Sequence, residues 1–209
     1  MKKIVLTCGL IVTFLSTYSM MKDELSVEEV AKRSGCFGDA AHFIDAIKDL
    51  SSPVADKLAI VRTIMENQDY AVCFNRCFEY CYEVYLYKQY AKDVYSQVGV
   101  SLFDQVDDSK FCIKFLRVES NKRGQGLGTV LFLYTIHAAR HLSYEYPMCR
   151  LTWQACPLEV VTTRDSQTRL NRFYLGLGGK LIDEEHNEFE WTGPSLQPFK
   201  LQECASGAK

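Results

Sequence analysis

The sequence predicts an α/β fold built on a sheet of mixed direction. Three observations predict it. An apolar run, Phe111 to Val118, is followed by the glycine-rich turn Arg123-Gly124-Gln125-Gly126-Leu127-Gly128, which opens a long amphipathic run to Leu142. A second extended segment and helix follow Pro147. Upstream, Phe78, Tyr80, Tyr82, Val84 and Leu86 alternate with Glu79, Cys81, Glu83, Tyr85 and Tyr87. Period-two alternation with many aromatics favours strands, and strands interleaved with helices favour an α/β sheet.

Element by element, Ser26 with Glu29 forms a capping box that starts a short helix over 27–33, ended by Ser34-Gly35. Asp39 caps a helix through Leu50 with Ala40, Phe43, Ile44 and Ile47 on one face. Ser52-Pro53 starts another, carrying Leu58, Val61, Ile64 and Met65. Residues 69–95 read as strands with a hairpin turn at Asn75-Arg76, or as one long helix. Gly99 to Phe103 is a short strand or a loop, and Val106 to Ser109 a turn before the strand Lys110 to Val118. In the following helix, Leu127, Val130, Leu131, Tyr134 and Ala138 keep helical spacing. Phe132, Leu133 and Ile136 widen the apolar surface, so it is expected to be buried on two sides. Met148 to Cys156 is a strand with Leu151 and Trp153 on one face, and Pro157 to Thr163 a loop. Ser166 caps a last helix through Leu177, with a glycine C-cap. Lys180 to Asp183 and Glu188 to Trp191 form a closing hairpin turning near His186-Asn187.

Composition bounds the function. With 209 residues, 47% apolar and 24% charged, the chain is one globular domain. A formal charge of −2 gives no electrostatic case for nucleic acid. Lys2-Lys3 followed by the uncharged run 4–20 reads as a secretory signal or a membrane anchor, giving an exported or anchored protein. Alternatively translation starts at Met20 or Met21, giving a cytoplasmic one. The expected division is therefore 1–20 signal or anchor, 21–193 the domain, and 194–209 a polar tail. Among nine cysteines, Cys73, Cys77 and Cys81 lack the His or paired spacing of a zinc site. They read as thiols, with disulfides the alternative; no metal is expected.

The glycine turn carries the chemistry. A helix N-terminus leaves several backbone N–H groups without partners and bears partial positive charge. Glycines remove the side chains that would hold an anion away, so the turn suits a phosphate. A dinucleotide fingerprint counted from Gly124 would need glycine where Thr129 stands, and no lysine follows Gly128 as a P-loop requires. What remains is R-x-x-G-x-G on Arg123, Gly126 and Gly128. The segment Leu116 to Gly128 resembles motif A of the GNAT acyltransferases, departing at Ser120, where proline is usual. Gln167 to Gly179 is similar to that family's later helix, with Phe173, Tyr174, Leu177 and Gly178 on the pattern and Gln167, Leu170 and Gly179 off it.

The resemblance implies a GNAT-like, mostly antiparallel central sheet flanked by helices. It also implies acetyl-CoA as cosubstrate, with the strand backbone at Leu116 and Val118 beside the pantetheine and the turn Arg123, Gly124, Gln125, Gly126, Leu127, Gly128 and Thr129 around the pyrophosphate. Tyr174 is then the proton donor to the leaving thiolate. Glu119, just beyond the strand, is a candidate base; His137 and His141 on the helix are weaker ones, more simply read as packing residues. The activity implied is transfer of an acetyl group by direct attack of a primary amine of a small molecule or protein. A non-catalytic acyl-CoA-binding module is the alternative. Asp45, Asp49 and Glu159 could attract a cationic amine.

Overall fold

The computed structural model describes residues 24–26, 28–29, 55–67, 69–156 and 164–197. In chain order these give β1 (Glu24–Ser26), α1 (Ala55–Glu66), β2 (Tyr70–Phe78), β3 (Cys81–Ala91), β4 (Val94–Asp107) and β5 (Lys110–Val118). A 3-10 turn (Ser120–Lys122), α2 (Leu127–Leu142), β6 (Met148–Gln154), α3 (Arg164–Leu175), β7 (Lys180–Asp183) and β8 (Glu188–Pro194) follow. The expected leader at 1–20, the helix over 39–50 with Asp45 and Asp49, and the loop 157–163 with Glu159 lie outside the described residues. Among the described residues, no helix is long and apolar enough to cross a membrane.

The strands form one eight-stranded sheet in the order β2-β3-β4-β5-β6-β8-β7, with β1 added to β4. Only β5 and β6 run parallel; the other described pairs are antiparallel. Parallel neighbours need a crossover, which α2 supplies. This is the mixed, mostly antiparallel α/β sheet that the sequence predicts.

Period-two alternation sorts β3 between two clusters. Tyr82, Val84 and Leu86 join the main core with α2, while Tyr85 and Tyr87 pack with Cys73, Leu25 and Tyr95. Helix α2 is buried all round: every residue from Thr129 to Arg140 is inside. Each fully buried Leu or Phe contributes about 1.5–3 kcal/mol. The close approach of α2 to the sheet is set by Gly99, where a Cβ would stand 2.5 Å from Leu131 Cδ1. The capping box also forms, with Ser26 N–H donating to Glu29 Oε2 (3.0 Å) and Glu29 N–H to Ser26 Oγ (3.3 Å).

Several boundaries differ from the sequence reading. Residues 70–91 are strands, but the hairpin turns at Glu79-Tyr80. Asn75 and Arg76 are exposed strand positions opposite Glu83 and Tyr82. The Arg76 guanidinium donates to the Glu79 carbonyl (2.6 Å) and so ties the turn. Cys73 and Cys77 thus share β2, and Cys81 opens β3. Gly99 to Phe103 is the middle of a long strand; its glycine marks helix contact, not a strand end. Ser166 lies inside α3, which starts at Arg164 and stops at Leu175. The stop is a Schellman turn: Gly178 has φ +83°, Gly179 N–H donates to Tyr174 O (3.0 Å), and Gly178 N–H to Leu175 O (3.2 Å).

The expected tail does not begin at 194. Pro194 is in β8, its carbonyl accepts from Arg140 Nε (2.7 Å), and Leu196 N–H donates to Arg140 O (3.0 Å). Among the described residues no cysteine is in a disulfide. Burial pushes the Cys149 thiol up to about 11, and burial with nearby Asp104 does the same to Cys81.

Candidate functional site

The sheet opens between β5 and β6. Their pairing runs from Lys110↔Arg150 to Ile113↔Trp153 and ends there, while β5 continues to Val118. On its other side β5 stays paired with β4 to Gly99↔Val118. Glu119 N–H donates to Val98 O (3.0 Å), and the Arg117 carbonyl lies 3.2 Å from where a Gly99 Cβ would stand. Both therefore face β4. Backbone groups alternate along a strand, so Leu116 and Val118 turn their N–H and C=O toward the opening. These are the two strand residues that the sequence singled out.

The glycine turn stands at the end of this edge. Gly124 and Gly126 adopt the left-handed conformation, with φ +77° and +84°, and Gly126 is the N-cap of α2. The first helical bond is Val130 N–H to Gly126 O (3.2 Å). Among the described residues, nothing accepts from the backbone N–H groups of Gly124, Gln125, Gly126, Leu127, Gly128 and Thr129. Among the described residues, no atom outside its two chain neighbours lies within 4 Å of a Cβ built on Gly124. Unspent donors at a helix N-terminus beside open space fit a diphosphate.

Two details depart from the expectation. The Cα side of Gly126 is covered: a Cβ there would stand 2.4 Å from Ile60 Cγ2 and 3.2 Å from Ile64 Cδ1, both on α1. Glycine at 126 therefore serves helix packing as well as the left-handed turn, which the turn's own sequence does not reveal. Arg123 is exposed and reaches back, its Nε donating to the Val118 carbonyl (3.3 Å). It latches the loop to the strand at one of the groups facing the opening.

Tyr174 on α3 lies on the β6 side. Its ring centroid is 5.1 Å from that of Trp153, 5.4 Å from Phe132 and 5.6 Å from Phe189, and the residue is only 7% exposed. No described residue shares a hydrogen bond with its hydroxyl. Burial first, and the nearby Cys156 second, push the phenol above the ordinary tyrosine range, so it stays protonated. A polar chain fixes this wall. Gln167 Nε2 donates to Ala155 O (2.8 Å) and to Asn171 Oδ1 (2.7 Å); Asn171 Nδ2 donates to Asn187 Oδ1 (2.9 Å). The i, i+4 spacing of Gln167 and Asn171 was its one visible sign in the sequence.

The other candidates separate. Glu119 is half-buried where β5 ends. His137 is fully buried, with its ring centroid 4.5 Å from that of His141, and His141 Nδ1 lies 2.6 Å from Gln197 O. His137 packs against Tyr134 and His141, and His141 also holds the C-terminal segment. Among the described residues no His, Cys, Asp and Glu cluster is arranged to hold a metal ion.

No family model and no curated protein matches the sequence. Solved structures similar to it include AtaTR bound with acetyl-CoA, at 15% identity and TM-score 0.41, over 56% of this chain and 69% of that one. A protein assigned to the GNAT acetyltransferases from Desulfovibrio desulfuricans aligns at 7% identity and TM-score 0.40, over 84% of this chain and 100% of that one. A KacTA complex with DNA aligns at 14% identity and TM-score 0.42, over 84% and 94%. At these scores the functional reading rests on the cleft and the motifs.

Proposed function

We propose that the chain is a GNAT-type N-acyltransferase that moves an acetyl group from acetyl-CoA to a primary amine. The observation that carries this is the run of amides from Gly124 to Thr129 that no described residue engages, beside the edge of β5 left unpaired by β6. That pairing of an anion cradle with exposed strand backbone suits a cosubstrate with a diphosphate at one end and an amide-rich arm leading to a thioester. Leu116 offers its N–H and C=O to the arm and Val118 its N–H, the Val118 carbonyl being held by Arg123. The turn 123–129 offers donors to the diphosphate.

The cosubstrate supplies an activated acyl group and a thiolate leaving group. The neutral amine attacks the carbonyl, backbone donors on β5 face the developing oxyanion, and Tyr174 gives its proton to the departing sulfur. A buried phenol held neutral suits that task and not proton abstraction. Glu119 stands as the candidate that takes the amine proton.

Calorimetry with acetyl-CoA, followed by thiol release with an amine panel, tests the reading. Binding with turnover on at least one amine is expected. Binding without turnover on any amine would favour a non-catalytic acyl-CoA module, and absence of binding would remove both.

A further inference from the structure

We propose that the end of the sheet remote from the cleft is a docking surface for a basic, arginine- or lysine-bearing segment of another protein. Six of the eleven exposed large apolar side chains among the described residues are gathered there. They are Phe78 and Tyr80 at the β2–β3 turn, Val106 at the β4–β5 turn, and Tyr144, Tyr146 and Met148 from the end of α2 to the start of β6. Hydrogen bonds join these three turns into one surface. Gln105 N–H donates to Tyr80 O (2.8 Å), Arg150 N–H to Ser109 O (2.8 Å), and the Tyr146 hydroxyl to Asp108 Oδ2 (2.6 Å). Phe78 is 68% exposed and Tyr80 57%, too open for either to serve the core. Apolar groups exposed singly are ordinary, whereas a contiguous set rimmed by polar residues marks a contact surface.

The rim sets the sign of the partner. Glu79, Asp107, Asp108 and Glu145 are exposed among these rings, and none forms an ion pair with a described residue. Of the cations at this end, Arg76 is turned onto the main chain, donating to the carbonyls of Phe78 (3.4 Å) and Glu79 (2.6 Å). Arg150 is paired with Glu190, and Lys110 is half-buried at the foot of β5, so the end stays net negative. Tyr144 donates its hydroxyl proton to Glu145 Oε1 (3.0 Å), as Tyr146 does to Asp108, which enriches the ring faces that a cation meets. Arginine suits such a surface. Its guanidinium stacks on a tyrosine and pairs with a carboxylate, while its stem lies along apolar neighbours. The same charges turn other occupants away. A second copy docked by this surface would set carboxylate against carboxylate across a two-fold axis, and nucleic acid or an anionic lipid surface would be repelled. The nine residues of β5 separate this end from the cleft, so a partner here leaves the cleft open.

The test is fluorescence anisotropy of a fluorescein-labelled peptide of alternating arginine and leucine, titrated with the full chain. A glutamate–leucine peptide and phosphatidylserine vesicles are the comparisons. The arginine peptide is expected to bind, less tightly as salt rises, and the other two are not. Phe78→Ser with Tyr80→Ser should weaken binding about tenfold, because a few anchors carry most of the energy of such a contact. Asp107→Asn with Asp108→Asn keeps the acceptors of the Ser109 and Tyr146 bonds while removing both charges, and should weaken binding by a similar factor. Glu184→Gln with Glu185→Gln removes the same charge at the exposed β7–β8 turn and should leave binding unchanged. Thermal melts check that each variant is folded. No binding of the arginine peptide, equal loss in both charge variants, or unchanged affinity without Phe78 and Tyr80 overturns the proposal. Preference for the glutamate peptide or for the vesicles overturns it as well.

Discussion

Arg123 reaches back over the 3-10 turn and donates its Nε proton to the carbonyl of Val118, at 3.3 Å. The carbonyl it holds faces the opening between β5 and β6, so the residue closes the loop onto the strand that the loop leaves. Removing the latch should loosen the turn. Arg123→Ala is expected to lower stability by about 0.5–1.5 kcal/mol, the usual net value of one hydrogen bond. Arg123→Lys keeps the charge but lacks the planar fork, so it should melt like the alanine variant. Thermal melts of the three proteins decide this. A lysine variant as stable as the parent would mean that charge, not the latch, matters.

Gly126 and Ile60 should be energetically coupled. Gly126→Ala forces a non-glycine residue to φ +84° and places a Cβ 2.4 Å from Ile60 Cγ2. The left-handed strain alone costs roughly 1–2 kcal/mol, and the contact adds to it. Ile60→Ala removes the obstructing methyl, so the double variant should recover the contact part and not the strain part. A coupling of about 0.5 kcal/mol or more in a double-mutant cycle is the expected outcome. Gly124→Ala meets no atom within 4 Å and should carry the strain alone.

Much of this was legible in the sequence, and the rest was hidden for identifiable reasons. Helix α2 falls on the bounds read from Leu127 to Leu142, because an apolar run with a glycine N-terminus is a local signal. The strands of 70–91 were legible by alternation, but their turn was not. Asn75 and Arg76 look like turn residues until it is known that they occupy exposed strand positions. In the candidate site, two motifs single out the glycine turn and Tyr174 as residues to test. Ile60 against Gly126 depends on the packing of α1 over the turn, which no local pattern encodes.

Tyr174→Phe separates chemistry from folding. The hydroxyl has no described partner, so its loss should leave stability near that of the parent or slightly higher. Turnover should fall by about 10²-fold if the phenol is the proton donor, with little change in acetyl-CoA affinity. The pH dependence has a definite sign. The folded phenol is raised above its ordinary value, so the stability of its neutral form is complete below about pH 10. It is lost as pH rises toward the folded value, because the unfolded chain ionises first. Urea melts above pH 10 should therefore show a shallower alkaline decline for Tyr174→Phe. Tyr134, raised by burial in the same way, keeps part of the slope in both proteins.

Ending the chain at Gly193 should damage the helix at the centre of the fold. Arg140 is 1% exposed, and its Nε donates to Pro194 O at 2.7 Å. Its own carbonyl accepts from Leu196 N–H at 3.0 Å, Ser195 N–H donates to Pro147 O at 3.2 Å, and the Ser143 and Ser195 hydroxyls lie 2.9 Å apart. Truncation removes these partners, the Pro194 carbonyl that accepts from the buried guanidinium among them. Losing a hydrogen bond made by a charged group costs roughly 1.5–3 kcal/mol, a sizeable part of the stability of a single domain. The truncated chain should melt far below the parent and be cleaved faster by protease. If the truncated protein melts with the full chain, the segment from Pro194 to Gln197 rests on α2 without supporting it.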